Sequence, residues 1–261
     1  MKKLFTMAVL AALVGLATTS CTKETKETSR NITVALGNNQ DSVNVSIDVP
    51  TYADSKVNAA IMEQLNEQLG GTYEGDYADC DSFVRFCAQK YMKEMKDLRD
   101  EFEDFDMGIP FERSLKVEKG YETDKLVTYN IQTYEFSGGA HGGTTSYGMT
   151  FRKSDGRQMG VNTLLTPRPE GVDWNDMLKQ GLMEYFEAKN ETDLEACLQG
   201  VEVYDIPMPA CGVSFGPDGM NFVYQQYEIT CYAAGMPNFT IPYEKLQPCL
   251  NTTGRKLLSA E

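Results

Sequence analysis

The chain has one histidine, His141, and that count decides a good deal of chemistry. A two-histidine zinc site such as H-E-x-x-H cannot be assembled, and neither can a histidine-rich metal centre. Zinc-dependent deacetylation of sugars, which normally needs histidine ligands, is disfavoured for the same reason. The chain contains no G-x-x-x-x-G-K-[ST] phosphate loop and no C-x-x-C pair. No metal site and no cofactor are expected. The 38 Asp and Glu residues leave room for a glycosidase-like carboxylate pair, but counting singles out no two of them. No catalytic residue is therefore assigned. A hydrolase acting on peptidoglycan or another glycan through carboxylates stands as the alternative to a non-enzymatic binding role.

One local stretch stands out, Ser137-Gly138-Gly139-Ala140-His141-Gly142-Gly143. Glycines can bring backbone N–H groups close to a ligand or supply positive φ angles. In a functional reading His141 is an acid–base group or a ligand contact. In a structural reading the glycines make a tight strand-to-strand connection and the histidine is hydrogen-bonded inside it. No nucleophile can be assigned to work with His141, so we read it as structural rather than catalytic. Ser137, Gly138, Gly139, Ala140, His141 and Gly142 remain the candidate binding loop. Aromatic residues cluster later, at Phe222, Tyr224, Tyr227, Tyr232, Phe239 and Tyr243. They suit stacking on sugar rings, but core and sheet packing explains the same pattern.

The beginning of the chain reads as an export signal. Met1-Lys2-Lys3 is positive, and Leu4 to Leu16 runs apolar apart from Thr6 and Gly15. That run is shorter than the ~20 residues needed to cross ~30 Å of hydrocarbon. Small residues, Ala17-Thr18-Thr19-Ser20, lead into Cys21. Residues 1–20 are expected to be a lipoprotein signal peptide and Cys21 the lipidated first residue. The usual Leu or Val three residues before the cysteine is here Thr18, so the match is loose, and an ordinary secretory signal is the alternative. Polar residues 21–30 are read as a flexible tether. The expected location is the cell envelope, with the lipid on Cys21 in a bacterial membrane. The outer membrane is favoured, on its periplasmic or its surface face.

About 230 residues follow the tether, enough for one large domain or two modest ones. The chain carries 24 Lys and Arg, for a net charge of −14. Without Lys2 and Lys3 the balance is 22 against 38, or −16. A field of that sign repels nucleic acid and attracts cationic partners. Acidity that merely keeps an exported protein soluble is the plain alternative. Cys80, Cys87, Cys197, Cys211, Cys231 and Cys249 remain besides Cys21. An even count in an exported chain suggests disulfides, and buried thiols are the other reading. On one continuous helix Cys80 and Cys87 would lie ~10 Å apart, beyond the ~7 Å that a disulfide tolerates.

The elements that must position these residues follow from periodicity. Ile32–Leu36 and Val43–Val49 alternate and are β-branched, so they read as strands joined by a turn over Gly37–Asp41. Asp54 caps a helix with Val57, Ile61, Leu65 and Leu69 on one face, stopped by Gly70-Gly71. A second helix spans about Asp81 to Asp104, its stripe formed by Val84, Cys87, Tyr91, Met95, Leu98, Phe102 and Phe105. Strands follow at Ser114–Val117 and Leu126–Phe136, then a hairpin from Tyr147–Arg152 to Met159–Val161. Asp173 caps a helix through Phe186; a hairpin turns at Gly216–Gly219, its second strand running from Met220 to Ile229. A strand at Phe239–Ile241, a short helix at Tyr243–Leu250 and a polar tail at 251–261 end the chain. Strands and helices come in blocks, so the fold class is α+β: antiparallel sheets with packed helices in two small tandem domains, 31–143 and 144–250.

Three stretches together resemble a known family. They are Ser46-Ile47-Asp48-Val49-Pro50 with the helix that follows; Tyr134-Glu135-Phe136 running into the glycine-rich loop, then Ser154-Asp155-Gly156-Arg157; and Tyr224-Gln225-Gln226-Tyr227-Glu228-Ile229, then Ile241-Pro242-Tyr243. The chain is similar to the paired domains of unknown function in the extracellular part of RsiV-type anti-sigma factors. Similar domains precede the catalytic domain of some peptidoglycan deacetylases. The resemblance implies a sensor-like fold and a binding role, with lysozyme as the partner those anti-sigma factors sense. No sigma-binding segment, spanning helix or deacetylase domain is read here, so signalling and deacetylation are not expected to carry over. The expected function is a non-enzymatic envelope lipoprotein. Its expected partner is a protein, such as a cationic lysozyme-like muramidase, or peptidoglycan or another glycan.

Overall fold

The computed structural model describes residues 28–38, 40–101, 108–166 and 169–258. The leader, Cys21, most of the expected tether, Phe102 and Phe105 lie outside these residues.

Strands β1 (Ser29–Gly37) and β2 (Asp41–Pro50) form the expected antiparallel hairpin. β1 starts earlier than expected: Ser29 and Arg30, assigned to the tether, pair with Pro50 and Val49. In β2 the alternating Val43, Val45, Ile47 and Val49 are all buried, each burial contributing roughly 1.5–3 kcal/mol. Helix α1 (Ser55–Gln68) opens with the Asp54 carboxylate accepting the Lys56 N–H, a cap that contributes about 1 kcal/mol. Helix α2 (Cys80–Glu101) buries Val84, Cys87, Tyr91 and Met95 at helical spacing. Cys80 and Cys87 share this helix, and the six described cysteines are all free thiols. The disulfide expectation is corrected accordingly: a helix holds the first two apart, and burial accounts for Cys80, Cys87 and Cys249.

Strand β3 (Phe111–Glu122) runs parallel to β2. A parallel neighbour needs a long crossover, and α1 and α2 supply it. β4 (Leu126–Phe136), β5 (Gly143–Arg152) and the short β6 (Gln158–Met159) then continue antiparallel, completing a six-stranded sheet in the order β1-β2-β3-β4-β5-β6. The expected domain boundary at 143/144 cuts β5 after its first residue, and β5 pairs with β4 from Leu126↔Arg152 to Glu135↔Gly143. The sheet therefore continues across that point.

The C-terminal part contains α3 (Val161–Leu164), α4 (Trp174–Tyr185), α5 (Glu191–Glu195) and a three-stranded antiparallel sheet. Its strands are β7 (Val213–Phe215), β8 (Gly219–Val223) and β9 (Asn238–Pro242), followed by α6 (Tyr243–Leu246) and α7 (Thr252–Leu258). β8 stops at Val223, short of the expected Ile229, because Gln225–Glu228 forms a turn. The expected polar tail is corrected as well, since α7 docks on α3. Asn251 donates from its backbone to the Leu164 carbonyl, and Gly254 lies so close to that oxygen that a Cβ would stand 2.3 Å from it.

β4 explains how the two halves join. Val127, Tyr129 and Ile131 face the core made with α1 and α2, while Leu126 belongs to the second core. Thr128, also buried, donates its hydroxyl to the carbonyl of Phe215 at 2.6 Å, and the Phe215 N–H donates to Thr150 at 3.0 Å. Strand β7 is thus hydrogen-bonded to the outer face of the six-stranded sheet through two buried threonines.

Candidate functional site

The glycine-rich loop connects β4 to β5. Gly138 and Gly139 have φ of 98° and 89°, with open space where a Cβ would stand. Glycine is therefore required there by backbone conformation rather than by crowding. Gly142 differs: a Cβ would meet the Tyr134 ring at 2.5 Å. The loop is the strand connection that the structural reading expected, and it also presents His141 outward.

His141 is exposed but not idle. Its ring stacks on Tyr232, centroids 3.7 Å apart and planes inclined by 17°. Nδ1 lies 3.1 Å from the Gly142 carbonyl, and Nε2 lies 3.3 Å from the Tyr227 hydroxyl. A carbonyl only accepts, so Nδ1 is the donor in this contact. Tyr232 also donates to the Gly142 carbonyl, at 3.2 Å.

The opposing wall is the turn after β8. The Ser146 N–H donates to Gln225 Oε1, and Gln225 Nε2 donates back to the Ser146 carbonyl, both at 2.9 Å. The Thr144 N–H donates to Gln226 Oε1 at 2.9 Å. Two glutamine side chains thus satisfy backbone groups on this stretch of β5. The turn is closed by Glu228, whose carboxylate accepts the Gln225 and Ala210 N–H groups at 2.6 and 2.7 Å. Tyr227 sits in this turn at φ 65°, a left-handed conformation that is strained for a residue with a bulky side chain. Its side chain is nonetheless 62 % exposed.

Loop and turn enclose a pocket of about 610 Å³, with Arg113, Thr133 and Glu135 from the sheet at its base. Arg113 is held there, stacked over Tyr91 at 4.0 Å and 3.4 Å from the Glu135 carboxylate. The chemistry on offer is recognition: an aromatic group, several hydroxyls and amides, and one ion pair. Among the described residues no group of His, Cys, Asp and Glu is placed to hold a metal.

Of the sequence candidates, Ser137, Gly138, His141 and Gly142 line the pocket. The late aromatics divide. Phe222 and Tyr224 are fully buried, and Phe239 and Tyr243 pack against the second core. Tyr227 and Tyr232 reach the pocket. Sequence reading passed over Gln225, Gln226 and Glu228, although two adjacent glutamines where β8 should have continued were a signal that the strand stops. Cys21 lies outside the described residues.

Fold and site define a two-sheet α+β protein with a polar pocket where its halves meet. In sequence, residues 36–144 match the family described as "Deacetylase PdaC", and residues 175–244 match the protein family of unknown function DUF3298. The chain thus carries a PdaC deacetylase-like domain and a DUF3298 domain in tandem, as the sequence resemblance implied. His141 lies in the first matched segment, and Tyr227 and Tyr232 lie in the second. Two crystal structures share the fold. A DUF3298 family member from Bacteroides fragilis superposes with a TM-score of 0.68 at 16% identity, over 88% of this chain and 96% of that one. A DUF3298 family protein from Pseudomonas aeruginosa gives 0.59 at 16% identity, over 87% and 96%. None of the curated proteins matches the chain.

Proposed function

We propose that this protein is a non-enzymatic binding module, held at the cell envelope by lipid on Cys21, that engages its partner at the pocket between the His141 loop and the Tyr227 turn. The observation that carries this reading is Tyr227, kept in a strained conformation while its ring faces solvent. Strained backbone of this kind clusters at binding and active sites. The partner is a protein or glycan of the envelope, and a cationic lysozyme-like muramidase is the sharpest candidate. Net charge of −14 steers basic proteins toward the chain, and the resemblance to lysozyme-sensing ectodomains points the same way. Hydrolysis through paired carboxylates is less well supported, because the acidic residue lining the pocket, Glu135, is committed to Arg113.

The test is titration with lysozyme at low and high salt, using wild type and Tyr227→Ala. Screening is strong beyond ~8 Å at physiological salt, so charge attraction alone fades. Binding with defined stoichiometry that survives high salt and weakens in Tyr227→Ala is the expected result. Binding that disappears with salt, or that any basic protein reproduces, removes the muramidase.

A further inference from the structure

We propose that a second cleft, at the seam between the two sheets, binds a neutral saccharide. The cleft encloses about 440 Å³ between β4–β5 and β8–β9, within the ~300–1,000 Å³ usual for small-molecule sites. It lies along β5 from Ser146 to Gly148, whereas the His141 pocket takes Gly143 to Thr145.

None of the residues lining this cleft is charged, in a chain where 24% of residues are. A charged ligand would be desolvated there without a counter-charge, so the site selects a neutral one. The lining polar groups are also unspent. Asn130 sits opposite Gly148 in the ladder and lies over Gly120, where a Cβ would stand 2.4 Å from its Nδ2. Its amide makes no side-chain hydrogen bond with a described residue. The same holds for the Ser214 hydroxyl, on a residue only 5% exposed, which points at Gly148. Asn221 accepts from Thr240 through Oδ1, leaving Nδ2 to donate. Asn238 donates to the Met236 carbonyl, leaving Oδ1 to accept.

The cleft therefore presents both donors and acceptors, beside the partly buried Val223, Met236 and Phe239. A sugar, whose hydroxyls both donate and accept and whose C–H faces are apolar, matches each of these features.

This site is independent of the partner proposed for the His141 pocket, and the experiment separates them. Purified protein is titrated by calorimetry with chitotriose, cellotriose and a capped trialanine. Wild type, the double variant Asn130→Ala/Asn238→Ala and Tyr227→Ala are compared. Both asparagines are exposed, so the double variant keeps its fold, as circular dichroism will verify. At least one saccharide is expected to bind wild type with a Kd of about 1 mM or tighter. The double variant should weaken that binding at least about tenfold, while Tyr227→Ala leaves it unchanged. Absence of saccharide binding, indifference to the double variant, loss in Tyr227→Ala, or tighter binding of trialanine would each overturn the proposal.

Discussion

Gln225 pairs with Ser146 as a neighbouring strand would, its side-chain amide accepting the Ser146 N–H and donating to the Ser146 carbonyl at 2.9 Å each. One side chain thereby ties the turn of the second half to the sheet of the first.

Replacing Gln225 by Ala should leave both Ser146 backbone groups without these partners. A loss of about 1–3 kcal/mol of stability is expected, read as a lower urea midpoint with unchanged slope. Hydrogen exchange at the Ser146 amide should accelerate relative to amides in β4. If exchange there stayed at the wild-type rate, the pairing would not hold the turn.

Tyr227→Gly separates stability from function. Glycine adopts φ 65° without the penalty that a tyrosine pays there. The variant should be as stable as wild type or more so, by up to about 1 kcal/mol, while partner binding at the pocket falls. A variant that is clearly less stable would show that the ring packs rather than presents itself.

Glu122 gives the protein an acid-sensitive joint. Burial alone would raise its pKa, but hydrogen bonds from Lys153, Thr28 and Lys119 outweigh that and bring it from 4.5 to about 2. The folded carboxyl is the stronger acid, so its contribution is fully present above pH 4.5 and is lost as pH falls toward about 2. Glu122→Gln should lower stability near neutral pH by about 1–3 kcal/mol and flatten the acid limb of the unfolding profile. An acid limb identical to wild type would assign the effect elsewhere.

Cys21 should carry lipid. The motivation is the charged start, the short apolar run and the small residues before it. Cells labelled with a fatty-acid probe should show a band for wild type that Cys21→Ala lacks. Equal labelling, or wild type released in soluble form, would remove the anchor from the proposal.

Several features were legible in the chain because they depend on near neighbours in sequence. The alternation in β2, the Asp54 and Asp173 caps and the stripe of α2 are local patterns that report their element directly. The histidine count restricted the chemistry before any coordinate was known, and the spacing of Cys80 and Cys87 ruled out their disulfide once both fell on one helix. Tertiary structure decided what local patterns leave open. Leu126 to Tyr129 reads as one buried run, yet its alternate residues face two different cores, because a second sheet covers that end of β4. The parallel pairing of β2 with β3 depends on where two helices cross, which strand periodicity does not encode. The pocket brings His141 to Tyr227 and Tyr232 across more than 80 residues of chain. Nothing in the spacing of those residues marks the meeting, because it is made by Gln225 and Gln226 binding a strand edge that exists only after the sheet has formed.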